Sequence, residues 1–138
     1  MERYGMNEQA AKEWLKKAWH NLSTAQLLYK AEHYTDVIAV ELHYACEKTM
    51  KSILAYQNKK ILKTHNLFEI HLGILEIIDL KDYEKLLEQI SKYHIEESYP
   101  VFDRQLPSRE EMKEVLDFSY DLFKRVCNIL NINKSELI

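Results

Sequence analysis

The sequence predicts an all-α protein, an up-and-down antiparallel bundle of four main helices plus a short fifth. Three observations carry that expectation. Only two Gly and two Pro occur in 138 residues, and both prolines, Pro100 and Pro107, fall in one stretch, so the breaks that strands and hairpins need are missing. Runs of β-branched residues are scarce. Apolar residues recur at intervals of three and four over long segments, the spacing that puts them on one helix face. A hydrophobic content of 46% suffices for a core in one domain, residues 1–138, without disulfides or a metal.

The first helix starts at Asn7, a good cap followed by Glu8, shows an apolar face of Ala11, Trp14, Ala18, Leu22, Ala25 and Leu28, and stops at 31–34. The second runs from Thr35 or Asp36 to 57 and carries Ile38, Leu42, Ala45, Thr49 and Ile53, with Val37, Tyr44 and Met50 widening the face. So broad an apolar surface predicts a central helix. Thr64 or Asn66 caps a shorter third helix with the stripe Leu67, Ile70, Ile74 and Ile78. The fourth covers 82–96, turns Tyr83, Leu86, Leu87, Ile90 and Tyr93 inward, and ends before Pro100, whose ring disfavours helical geometry at Tyr99. Ser108 and Glu111 form an S-x-x-E capping box for the last helix, 108–130, whose apolar period holds from Met112 to Leu130. The tail after 130 either frays or docks.

Nineteen Lys and Arg against twenty-two Asp and Glu give a formal charge of −3, so bulk composition does not mark a nucleic-acid binder and any such function is local. Cys46 and Cys127 lie far apart inside helical patterns, which predicts buried free thiols in a reducing compartment. The start MERYGMNEQAAKEW has no apolar signal core and no stretch approaches the length of a membrane span, so a soluble, cytoplasmic protein is expected.

Between Lys48 and Phe68 stand Lys48, Lys51, Lys59, Lys60, Lys63 and His65 with no acid among them. This predicts positive potential at one end of the bundle, reinforced by unpaired N–H groups of the helix starting near Thr64, where a phosphate could sit. The competing expectation is a solvated lysine-rich turn that offsets a helix dipole, with Thr64 a cap and His65 a packing residue. Glu47 and Lys51, four apart, read as a surface pair. None of the six histidines has an acid three residues before it, and the one plausible ligand pair, His43 with Glu47, fills no coordination sphere, so neither metal nor cofactor is expected. Tyr99, beside Pro100, either packs or stacks on a base.

The run AKEWLKKAWHNLSTAQLLYKAEHYTDVIAVELHYACEKTMKSILAYQ, then KTHNL and later YHIEESYP, resembles the HEPN family, the "higher eukaryotes and prokaryotes nucleotide-binding" domains, over nearly the whole chain. The resemblance implies a helical homodimer and, for many small members, pairing with a minimal nucleotidyltransferase in toxin–antitoxin systems. It also raises Glu47 and Lys48 as residues of a shared interface or pocket, and Tyr93 and Tyr99 as sites of modification. Ribonuclease members carry an Arg followed four to six residues later by a His. Here none of Arg3, Arg104, Arg109 and Arg125 is followed by a His at that spacing, Ser98 precedes Tyr99-Pro100 where such members have Arg, and His94 lies upstream. The expectation is therefore a non-catalytic protein that engages a nucleotide, RNA or the partner enzyme through the Lys59–His65 edge and the 94–104 loop. The rivals are a metal-independent ribonuclease with a displaced site, using Arg104 or Arg109 with His94 or His65, and a ligand-free scaffold.

Overall fold

The computed structural model describes residues 7–100, 102 and 104–138. The first six residues, with Arg3 and the start of the segment read for a signal core, lie outside the described residues, as do positions 101 and 103 of the irregular stretch. Five α-helices, α1 (Glu8–Lys30), α2 (Thr35–Tyr56), α3 (Leu67–Leu72), α4 (Glu84–Glu96) and α5 (Arg109–Ile129), pack antiparallel, and the described residues include no strand. Single 3-10 turns at Lys81–Tyr83 and Lys134–Glu136 complete the elements. Among the described residues no helix is long and apolar enough to cross a membrane.

Helix α2 is central, packed on α1, α5, α4 and α3. Its Ile38, Leu42, Met50 and Ile53 are fully buried, each contributing about 1.5–3 kcal/mol of hydrophobic stabilisation. They meet Leu15 and Leu22 of α1 and Phe123 of α5 in one core cluster. The broad face of α2 is thus covered within the chain, whereas Tyr34 and Val37 at its start remain exposed. Asn7 pins the α1–α2 pair: its side-chain oxygen accepts from Ala10 N–H, and its own N–H donates to Tyr56 O.

With so few glycines, three helices end on other residues in the left-handed region. Glu32, Asn58 and Asn131 have φ of 56°, 53° and 56°. After each, the next N–H reaches back five residues, His33 to Leu28 O, Lys59 to Leu54 O and Ile132 to Cys127 O, which closes the orphan carbonyls.

The third helix is shorter than its apolar stripe predicts. Ile74 and Ile78 are buried as expected, but from turns rather than from a continuing helix. Gly73 and Ile74 donate to carbonyls three residues back, tightening the chain, and His71 Nε2 accepts the Leu80 N–H at 2.8 Å, folding the segment onto itself. Tyr83, expected to point inward, is half exposed with its ring 5.1 Å from Phe118.

Only half of the expected capping box at the start of α5 forms. Ser108 Oγ accepts the Glu111 N–H, but the Glu111 carboxylate is diverted to Tyr93 Oη at 2.6 Å and Gln89 Nε2 at 3.0 Å. Between the two outcomes open for the tail, docking prevails: Leu137 is buried, Glu136 pairs with Lys12 at 2.7 Å, and Asn133 with Glu136 makes a complete capping box. Both cysteines are free and buried, and burial pushes the Cys46 thiol up to about 12 and that of Cys127 to about 11.

Candidate functional site

Residues at i, i+4 and i+8 of a helix share a face, so α2 aligns His43, Glu47 and Lys51. The 57–66 segment carries His65 to Glu47, and α4 brings His94 against both histidines. His65 Nδ1 lies 2.8 Å from Glu47 Oε1, and Lys51 Nζ lies 2.9 Å from Glu47 Oε2. The His94 ring stacks on His43 at 5.1 Å between centroids and meets His65 at 4.4 Å.

Glu47 and Lys51 are each only 5% exposed, so their pair is interior and not the surface pair the spacing suggested. The reason is the covering 57–66 segment together with Trp14, whose ring centroid is 6.0 Å from Lys51 Nζ. Burial alone would raise the Glu47 carboxyl, but the hydrogen bonds from His65 and Lys51 outweigh it and hold the group below its ordinary value. Burial also holds His43 below its ordinary value, toward the neutral ring. His43 Nε2 donates to His65 O at 2.9 Å, which leaves its buried Nδ1 without a partner among the described residues.

His65 and His94 open onto a groove of about 820 Å³ between the 63–66 turn and α4, lined also by Lys63, Lys92 and Ser91, with Phe68 and Ile95 as apolar wall. Lys63, Thr64, His65 and His94 therefore converge. The other lysines do not. Lys48 donates to Asn21 Oδ1 at 2.8 Å on the α1–α2 face, Lys51 is sealed in the interior, and Lys59 donates to Gly73 O at 3.2 Å behind α3. Lys60 is exposed in the turn and does not line the groove. The single cationic pole expected from the sequence is thus dispersed, because Lys48 and Lys51 leave α2 toward Asn21 and the interior while Lys59 turns to Gly73.

Three of the N–H groups expected to be free at the third helix are committed. Thr64 Oγ1 accepts from Asn66 N–H, Ser91 Oγ from Leu67 N–H, and Asn66, the actual cap, from Glu69 N–H. Arg104 is an anchor, its guanidinium held by Glu97 and, at 3.1 Å, by Glu96. It lines a different cleft, of about 370 Å³, together with Tyr99. Arg109 stacks on Tyr29 at 4.1 Å and donates to its carbonyl. Tyr93 is buried, whereas Tyr99 is 63% exposed.

Sequence reasoning missed Lys92, Ser91 and the inward role of His43. Only the register of α4 against the 63–66 turn brings the first two to the groove, and nothing in local spacing encodes that register.

A family model described as HEPN domain matches residues 11–130. Among solved structures, the crystal structure of TT1696 from Thermus thermophilus superposes with a TM-score of 0.75 at 22% identity, covering 86% of this chain and 97% of that one, a likeness of fold. No curated protein matches the sequence. With bundle, helix order and a family match over most of its length in agreement, the chain belongs to the HEPN domain family.

Proposed function

We propose that this HEPN protein binds a phosphate-bearing nucleotide or RNA in the groove lined by Lys63, His65, Lys92 and His94. The observation that carries this is the 2.8 Å hydrogen bond by which buried Glu47 fixes His65 at the edge of that groove. A buried carboxylate held by a buried lysine is a costly way to orient a surface histidine, and such arrangements belong to sites where orientation matters. The absent Arg-to-His spacing and the engagement of Arg104 and Arg109 elsewhere support binding without cleavage. Fluorescence anisotropy with a labelled single-stranded RNA tests it: affinity should fall steeply with salt and with Lys63→Gln plus Lys92→Gln. RNA bound at wild-type affinity by the double variant would put binding outside the groove, and no binding by either protein would leave a ligand-free scaffold.

A ribonuclease is the second reading, favoured by two imidazoles 4.4 Å apart with a carboxylate behind one of them, the components of metal-independent acid–base chemistry. Incubation with RNA in chelator, repeated with His65→Ala and His94→Ala, separates the two. Cleavage abolished by either change would replace the non-catalytic reading.

The homodimer and the nucleotidyltransferase partner belong to the same proposal. Tyr34, Val37, Tyr99, Phe102 and Leu106 leave apolar surface near the start of α2 and in the loop before α5, which suits a symmetric contact. Light scattering showing a monomer at high concentration would remove the dimer. An adjacent gene for a minimal nucleotidyltransferase would support the pairing.

A further inference from the structure

The hydrogen bonds of the groove histidines constrain what they can offer a ligand. His65 points Nδ1 at Glu47 Oε1, a carboxylate that can only accept, so the proton of the neutral ring sits on Nδ1. His94 points Nδ1 at Ser91 O, 3.4 Å away, a long contact with an acceptor that favours the same tautomer. In both neutral rings the remaining nitrogen, Nε2, is therefore a lone pair. A lone pair repels a phosphate oxygen. Each ring becomes a donor toward the groove only after it takes up a proton.

Charge points the same way. The ionisable groups facing the two rings are His43, Glu47 and Lys51 from α2, Lys63 from the turn, and Glu88, Lys92 and Glu96 from α4. Glu47 is engaged by Lys51, and Arg104 is shared between Glu96 and Glu97, which leaves Lys63 and Lys92 against Glu88 and Glu96. Those charges balance. Two imidazolium ions with centroids 4.4 Å apart repel each other, and an anion seated between them and the lysines removes that repulsion. The groove with both rings protonated carries two positive charges, those that match a phosphate dianion and more than a single phosphodiester carries.

We propose that the groove selects a phosphate monoester, the terminal phosphate of a nucleotide or of an RNA end, and binds its dianion together with protons taken up by His65 and His94. This rests on the phosphate-binding function proposed above and names its ligand class. The phosphate oxygens accept from the two Nε2–H groups and the lysines, while Phe68 and Ile95 offer apolar surface to the attached base. Glu47 acts as a positioning residue, holding His65 Nδ1–H inward so that the incoming proton goes to the groove-facing nitrogen.

Titration calorimetry with 5′-AMP as the probe, run at pH 7.5 in two buffers of different ionisation enthalpy, reads the proton uptake directly. Uptake of about one proton or more per AMP is expected, with affinity tightening about tenfold from pH 8 to pH 7 for each linked proton. Cyclic 3′,5′-AMP, the same base on a singly charged diester, should bind at least about tenfold more weakly, the equivalent of one lost charge contact. His65→Gln and His94→Gln, checked for folding by circular dichroism, should each reduce the uptake, and the double variant should abolish it. AMP binding without proton uptake, uptake that survives in the double variant, or equal affinity for the cyclic diester would overturn the proposal. RNA binding without AMP binding would overturn it while leaving the broader function standing, and loss of both ligands would remove both.

Discussion

Lys51 Nζ sits 2.9 Å from Glu47 Oε2, and neither side chain is more than 7% exposed. Breaking such a pair from one side leaves a charge stranded in the interior, which costs far more than the pair itself contributes. Glu47→Ala should therefore destabilise the protein by about 3–5 kcal/mol, because Lys51 loses its counter-ion and His65 its acceptor. Replacing both partners together, Glu47→Leu with Lys51→Met, should recover most of that loss. Urea unfolding of the three proteins checks it, and a single variant as stable as wild type would contradict the burial.

Glu32 ends α1 at φ 56° without being a glycine. A side chain in the left-handed region costs about 1 kcal/mol relative to glycine. No side-chain bond from Glu32 compensates among the contacts of this turn, where its backbone N–H donates to Tyr29 O. Glu32→Gly should raise the thermal midpoint by a few degrees, about 1 kcal/mol or slightly less, whereas Glu32→Val should lower it.

Two buried histidines make the fold sensitive to mild acid. Burial holds His43 and His71 below their ordinary value of 6.5. Protonating His43 would place a charge on a buried Nδ1 with no acceptor among the described residues, and protonating His71 Nε2 would break the bond from Leu80 N–H. Because the folded values are depressed, the unfolded chain takes up these protons first. Their contribution to stability is complete above 6.5 and shrinks as pH falls below it, at up to about 1.4 kcal/mol per pH unit for each ring. Glu47, also depressed, adds a second loss only below its ordinary 4.5. Urea midpoints should be level from pH 8 to 7 and decline toward pH 5. A level profile down to pH 5 would show that neither ring is held neutral.

The bundle was legible because helical periodicity is a local property: Ile38, Leu42, Ile53 and the α5 positions Met112, Val115 and Val126 are buried where the spacing places them. The limits of the third helix were not, since Ile74 and Ile78 keep their burial through a turn locked by the distant pairing of His71 with Leu80. For the site, Lys63, Thr64 and His65 were readable as one cluster because they are adjacent in sequence. Lys51 and Lys59 stand in the same acid-free stretch of sequence and diverge, one into the core and one behind α3, for a tertiary reason. Composition carries no information on which face of α4 closes over the turn.

That divergence gives the lysines different roles in any contact with nucleic acid. Lys63 and Lys92 line the groove, whereas Lys48 donates to Asn21 and Lys59 to Gly73 O. Each lysine that neutralises a phosphate of a single strand releases counter-ions and contributes about 0.7 to the slope of log affinity against log salt. Lys63→Gln and Lys92→Gln should each weaken binding of a single-stranded RNA several-fold at physiological salt and flatten that slope by about 0.7. Lys59→Gln should leave both affinity and slope unchanged, because the Lys59 side chain reaches Gly73 O at the surface and not the groove. Lys48→Gln keeps a donor for Asn21 and should alter neither. Anisotropy titrations across a salt series distinguish the two sets. Equal losses of affinity from all four substitutions would mean that the lysines act through net charge alone and that the groove holds no phosphate.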